Sequence, residues 1–347
     1  MGRAKDKPLV TFALLSYNQE RFIKEAVEGA FAQTYSPLEI IISDDCSPDR
    51  TFSIISEMAD AYQGPHSVIL NRNSKNVGIG ANINRVMELA RGELIVGAAG
   101  DDISIPERVE KIYQAYESST ACAKSIFSNH HVMNASGQLQ GVGFSRPKKR
   151  AELSLDVLIK ETFRLSGFCH AWTWDIFDVF GPMTTPLMRE DMVIPFRSAL
   201  LGRIEYIHEP LVMFRVHDNN TSFVTNTMNV KKLIKHKTLL MCDNKPIYEN
   251  WLKDLETMSE IAPERETEIG CLRNTVLRKL SSAKDDIYIA DSNNSWLKRV
   301  IRQGKKILKG DLRGIRRNIG VFLIPTLYVI YWNLKNRIKY HKYRKVI

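Results

Sequence analysis

The sequence offers no covalent framework. Its five cysteines, Cys46, Cys122, Cys169, Cys242 and Cys271, are odd in number and scattered without a CxxC pair. That excludes a disulfide scaffold or a thiolate zinc site, and predicts a reducing cytosol with buried thiols. An apolar N-terminal segment is missing, so no secretory signal is expected, and Asp6 stands where a myristoylation site at Gly2 would need Ser or Thr. No GxGxxG follows the first strand-like run, where Ser16-Tyr17-Asn18 stands instead. A dinucleotide-dependent oxidoreductase is thereby excluded.

What is present is an ordinary globular body with a basic end. The 347 residues, 44% apolar and 25% charged, suffice for a full core in one large domain or a domain with an appendage. Residues 296–347 hold 15 Lys and Arg against one acid, Asp311, so this segment carries +14 of a total of +10 and the remainder carries −4. The body is unlike a uniformly basic nucleic-acid binder; the tail is the part that seeks an anionic surface.

Residues 10–15, 38–43, 67–71 and 93–98 read as strands. Between them, Asn18 can cap a helix carrying Phe22, Ala26, Val27, Ala30 and Phe31, Thr51 opens a second with Ile55, Met58 and Ala59, and residues 78–91 form a third. This alternation predicts an α/β fold: a mostly parallel sheet with right-handed crossovers and helices on both faces. A helix to about Ser118, a strand over 125–132 and a loop over 134–150 follow. Residues 202–214 read as two strands broken at Pro210, and residues 226–285 as wholly helical.

Three segments gather chemistry where strands or helices should end. Asp44-Asp45 can accept hydrogen bonds from a base imide or a ribose hydroxyl, or can cap the next turn. The adjacent carboxylates Asp101 and Asp102 repel unless a cation compensates, and Mg²⁺ or Mn²⁺ with a diphosphate fits them; so does a helix N-terminus ahead of Pro106. Glu190-Asp191 opens an apolar helical stretch and can supply a general base, with Arg215 and His217 downstream as a phosphate clamp and a metal ligand.

Over residues 8–222 these segments resemble the family 2 glycosyltransferases of the GT-A fold. The resemblance rests on Val10 to Asn18, on Gln33-Thr34 through Ser43-Asp44-Asp45-Cys46-Ser47-Pro48-Asp49-Arg50-Thr51, on Asn76-Val77-Gly78, and on Ala90-Arg91-Gly92-Glu93-Leu94-Ile95. It implies a GT-A Rossmann-like fold in which Ser16, Tyr17, Asn18, Asp45, Asn76, Asp101 and Arg215 face a nucleotide-sugar, usually UDP-linked. Asp101, Asp102 and His217 would hold Mn²⁺ or Mg²⁺, and Asp191 would act as base with Glu190 beside it. Ala99 stands where the family often has the first acid of D-x-D, so one ribose or metal contact is missing. The implied reaction is inverting transfer to a glycan or lipid-linked acceptor, with Gly167 to Trp174 as a candidate acceptor contact. A membrane-tethered nucleotide-sugar-binding module without turnover is the rival reading.

The expected organisation is a catalytic domain over 1–225 (nucleotide-sugar half 1–120, acceptor half 121–225), a helical extension over 226–285 and a membrane-associating tail over 286–347. In the tail, Leu297, Val300, Ile301 and Leu308 share one helical face while Lys298, Arg299, Arg302, Lys305, Lys306 and Lys309 cover the others, the pattern of an interfacial helix. Residues 318–334 lack charge, but Gly320, Pro325 and basic flanks favour a surface-lying segment over a span. The expected location is the cytoplasmic face of the plasma (inner) membrane, in surface-polysaccharide assembly and without nucleic acid.

Overall fold

The computed structural model describes residues 7–119, 122–143, 153–160, 165–217, 220, 230–290, 298 and 302–303. The chain forms two compact units, Met1–Val216 and His217–Ile347, so the boundary falls before the expected residue 225.

The first unit is built on strands β1 (Val10–Ser16), β2 (Leu38–Asp44), β3 (Ser67–Arg72), β4 (Leu94–Ala99), β5 (Ile103–Ser104), β6 (Ala123–Asn134), β7 (Leu139–Gly143), β8 (His170–Thr173) and β9 (Arg203–Val216), in the order β3-β2-β1-β4-β8-β6-β9-β5 with β7 on β6. The sequence-derived alternation holds in the first half: β3, β2, β1 and β4 are mutually parallel. Helices α1 (Ile23–Phe31), α2 (Thr51–Ala61) and α3 (Ile79–Leu89) make the crossovers. Both faces are buried, as a sheet covered by helices on both sides requires: one carries Phe12, Leu14, Ile40, Ile42 and Val96, the other Ala13, Ile41 and Ile95 with the polar Thr11, Glu39 and Ser43. The second half is mixed. β8 runs antiparallel to β4 and to β6, and β9 runs parallel to β6. The start of β8 and the ends of β6 and β9 therefore share one edge with the carboxyl ends of β1, β2 and β4.

Several expectations need correction. Asn18 does not cap α1: it lies at φ 56, and the helix starts after Phe22. The loop assigned from residue 134 contains a hairpin, β6–β7, whose turn is closed by Asn134 Oδ1 accepting the Ser136 and Gln138 amides at 3.0 Å each. Pro210 does not break its strand. The β6–β9 register instead shifts between Ser128 and Asn129, and Asn129 Nδ2 donates to the His208 carbonyl inside the irregularity. A bulge is where a residue without an N–H can sit in a ladder. Of the five thiols only Cys169 is buried; Cys122, Cys242 and Cys271 are exposed.

Helices α4 (Arg108–Ser118), α5 (Leu155–Lys160), α6 (Asp175–Phe180) and α7 (Glu190–Leu201) complete the first unit. The second unit contains α8 (Val230–Ile261) and α9 (Glu266–Ala290), which pack on each other through Trp251, Leu255, Met258, Ile269 and Val276. Of the basic segment 296–347 only Lys298, Arg302 and Gln303 are described. Arg302 donates from Nε to Asp285 Oδ1 at 2.6 Å and lies over the Tyr288 ring at 5.3 Å, so this cation is engaged within its own unit instead of covering a solvated face. No described helix is long and apolar enough to cross a membrane, and residues 318–334 lie outside the described residues.

Candidate active site

The carboxyl edge of the parallel half is a set of loops fastened to one another. Asp44, at the end of β2, is fully buried and accepts Ser16 Oγ at 3.2 Å and the Ser47 amide at 2.8 Å, with Arg72 at 3.8 Å. Asp45 turns the other way: its Oδ1 accepts Asn73 Nδ2 and the Val77 amide at 2.9 Å each, and its Oδ2 accepts the Gly78 amide at 2.8 Å. Gly78, at φ 83, is the N-cap of α3, so this carboxylate sits on a helix N-terminus, where the dipole favours it. The loop 16–20 is sewn to the turn after β2 by Asn18 N–H to Ser47 Oγ and Gln19 N–H to Thr51 Oγ1, both at 2.8 Å. Burial opposes ionisation of Asp49 in that turn, but donation from Thr51 and from the Glu20 amide lowers its pKa on balance. Tyr17 and Asn76 remain exposed on this rim.

The next loop begins at the end of β4. Gly100 packs so closely against Ser16, Gln19 and Ile23 that a side chain there would collide with them. Asp101 keeps part of its surface exposed. Asp102 is turned inward, 5% exposed, and accepts the Arg215 amide on Oδ1 at 2.8 Å. Burial, and then the charge of Asp101, push its carboxyl well above the usual range, against the pull of the Arg215 amide and of Arg108. Asp102, which the resemblance sets beside the metal, here supports the turn that carries Asp101.

Arg215 is likewise held by the fold. Its side chain is 2% exposed; Nε donates to the Asp101 carbonyl at 3.1 Å, Nη2 pairs with Glu25 of α1 at 2.9 Å, and the guanidinium lies 4.9 Å from the Phe22 ring. These partners lie within the fold, so Arg215 ties the end of β9 to the Asp101 turn and to α1, where the resemblance implied a diphosphate clamp. Arg108, which sequence reasoning missed, is also fully buried and joins Ser104 Oγ, the Gly97 carbonyl and the Phe168 carbonyl at 2.8, 2.7 and 3.0 Å. Desolvation lowers its pKa to about 10. No periodicity distinguishes it from the solvated arginines of an ordinary helix.

Glu190 and Asp191 open α7 and are half-buried. The Glu190 carboxylate lies against Gly167, just ahead of β8, where any side chain would displace it. That contact sets the start of α7 on the same edge as the two carboxylate loops. The region 167–174, expected to meet an acceptor, is mostly core. Phe168 stacks on Phe214 at 4.4 Å, His170 is buried on Phe127 and Trp172 is buried, leaving Trp174 as its exposed aromatic. His217 belongs to the second unit, where its amide donates to Asn220 Oδ1 at 2.6 Å. Among the described residues no three His, Cys, Asp or Glu side chains are grouped as a metal site. Asp101, the part-exposed carboxylate of its turn, is the residue that could hold a hard divalent ion there, with other ligands supplied by phosphate and water, the usual Mg²⁺ arrangement.

Residues 11–169 match the sequence model of the family described as glycosyl transferase family 2. Over this stretch, a little under half of its length, the chain is similar to that family. The chain is 31% identical over 209 residues to an uncharacterized protein of Mycobacterium tuberculosis, covering 58% of this chain and 57% of that one. It is 27% identical over 218 residues to the chondroitin synthase of Escherichia coli, covering 63% of this chain and 30% of the synthase. The chain therefore spans little more than half the length of the first of these relatives and less than a third of the second. In fold, the chain resembles S. aureus TarS 1–349 in complex with UDP-GlcNAc, with a TM-score of 0.52 at 15% identity over 81% of both chains.

Proposed function

We propose that the chain is an inverting glycosyltransferase that moves a sugar from a nucleotide diphosphate, UDP being the expected carrier, to a hydroxyl of a glycan or lipid-linked acceptor. What supports the reading is one observation: the Asp45 loop, the Asp101 turn and the Glu190–Asp191 helix start lie on a single edge of a family 2 fold. Carboxyl edges of such sheets are where ligands bind.

In this mechanism Asp191 takes the proton from the acceptor hydroxyl as its oxygen attacks the anomeric carbon. The bond to the nucleotide diphosphate breaks on the opposite face, and configuration inverts. General-base assistance of this kind contributes ~10²–10⁴-fold. Asp101 would hold a divalent ion, which when bound neutralises charge on the departing diphosphate. The Ser16–Asn18 loop and Asp45 with its tethered loop shape the nucleotide side. Glu190, against Gly167, orients the start of α7.

A thermal-shift screen of UDP, GDP, dTDP and CMP sugars, each with and without Mn²⁺, tests the donor; stabilisation by none of them refutes the reading. Asp191→Asn should abolish transfer and leave nucleotide binding nearly intact. A variant that turns over normally removes Asp191 from the role. We also propose cytoplasmic placement on an anionic membrane through the basic tail, in surface-polysaccharide assembly. Binding of the full chain to phosphatidylglycerol vesicles but not to phosphatidylcholine vesicles is the expected result.

A further inference from the structure

The helix whose N-terminus Asp45 holds also grips the segment that leads to Asp191. Along one side of α3, buried Asn82 accepts Ser43 Oγ at 2.6 Å and Asn73 Nδ2 at 3.0 Å, which fixes the helix to the end of β2. Two positions later, Asn84 makes a pair of bonds to a single residue 99 positions away in the chain: Nδ2 donates to the Met183 carbonyl and Oδ1 accepts the Met183 amide, both at 2.9 Å. One turn nearer the N-terminus, the Gly80 amide donates to the Leu187 carbonyl at 3.1 Å. The approach needs glycine, because a Cβ at residue 80 would stand 2.9 Å from Leu187 Cβ. From the other side, Arg197 of α7 donates to the Gly181 carbonyl at 2.7 Å.

Residues 181–189 contain no regular helix or strand, so these backbone bonds replace a ladder. Asparagine is a poor residue for a helix interior, and its cost relative to alanine, about 0.5 kcal/mol, needs an offset. An amide offers that here, since it donates and accepts at once and so can satisfy both polar groups of one residue. Aspartate could only accept, and leucine could do neither.

We propose that Asn84 is a positioning residue: by holding the Met183 backbone, it lets the helix that Asp45 caps set the placement of Asp191. The proposal rests on the functional reading above. A donor that settles on the Asp45 loop steadies α3, and through Asn84 and Gly80 steadies the segment delivering the base. Misplacement of a reacting group by about 1 Å can cost ~10²-fold in rate.

Hydrogen exchange of the full chain, with and without UDP, is the test, on wild type, Asn84→Leu and Asn84→Asp. In wild type, UDP should slow exchange in residues 182–191. In Asn84→Leu that segment should exchange roughly tenfold faster, about 1.4 kcal/mol of lost protection, and should no longer respond to UDP, while β2 and β3 still do. Turnover should fall ~10–100-fold with UDP affinity within about threefold, and Asn84→Asp should lie between the two. Unchanged exchange in 182–191 overturns the proposal, as does unchanged turnover, or a loss of UDP affinity matching the loss of turnover. If wild type turns over no nucleotide-sugar, the transferase reading fails by itself, and the exchange comparison still decides whether Asn84 holds the segment.

Discussion

Replacing Arg215 with methionine separates two roles that the sequence leaves equivalent. A diphosphate clamp would be dispensable for folding: the variant would melt like wild type and lose most of its turnover. The structure dictates otherwise. Methionine restores much of the apolar stem but removes donation to the Asp101 carbonyl, the pair with Glu25 and the contact with Phe22. Glu25 is 46% exposed, so its pair is screened and contributes about 0.5–1 kcal/mol. A hydrogen bond from a buried cation adds about 1.5–3 kcal/mol and the ring contact about 0.5–1 kcal/mol, less what methionine packing returns. Arg215→Met should therefore destabilise the first unit by roughly 2–4 kcal/mol in urea denaturation followed by tryptophan fluorescence. Glu25→Gln should cost about 0.5–1 kcal/mol alone and almost nothing on top of Arg215→Met, because the partner is already gone. UDP affinity per folded molecule should stay within about threefold. Additive losses in the double variant, or wild-type stability in Arg215→Met, would refute the assignment of Arg215 to the fold.

Other expectations follow from the same contacts. His130 lies edge-on to Phe168 and Phe214, and desolvation, aided by His131, lowers its pKa from 6.5 to about 4. The unfolded chain then binds more protons than the folded one between these values, so stability is full above pH 6.5 and drains away as pH falls toward 4, by up to about 3 kcal/mol. His130→Phe should flatten that acid limb in denaturation curves between pH 7 and 4.5; an unaltered limb refutes the assignment. Gly80→Ala should lower the melting temperature although alanine favours helix, since its Cβ meets Leu187 at 2.9 Å. EDTA should abolish transfer and added Mn²⁺ restore it, whereas Asp101→Asn should not be rescued at the same Mn²⁺ concentration; rescue would move the ion elsewhere.

The parallel half was legible because its strands are apolar runs with helical periods between them, and each of its loops begins with polar residues. The second half was less so for physical reasons. β7 packs one face only and leaves Leu139 and Val142 exposed, so its composition reads as loop. Pro210 looks like a break until the bulge opposite Asn129 absorbs it. Partners far apart in sequence were invisible: Glu25 with Arg215, and Asn84 with Met183, are contacts that no local pattern announces.

The acid doublets show why a motif can point to a site and still misassign its residues. Adjacent acids in these strand-end turns take different surroundings. In Asp44-Asp45 the first is sunk among Ser16, Ser47 and Arg72, and the second serves the α3 N-terminus. In Asp101-Asp102 the second is sunk against the Arg215 amide, and the first keeps exposed surface. Both members of the first doublet are thus buried and fasten loops, whereas in the second only Asp102 is buried and Asp101 stands part-exposed. Asp102 adds a buried bond to the turn that Arg215 and the close packing of Gly100 also hold. Asp102→Asn tests this: it keeps an acceptor for the Arg215 amide and removes a charge that burial disfavours. It should leave stability at pH 7 equal or higher, whereas Asp102→Ala, with no acceptor, should lower it by about 1–3 kcal/mol. A variant pair that behaves the other way round would mean that Asp102 is held ionised for a ligand after all.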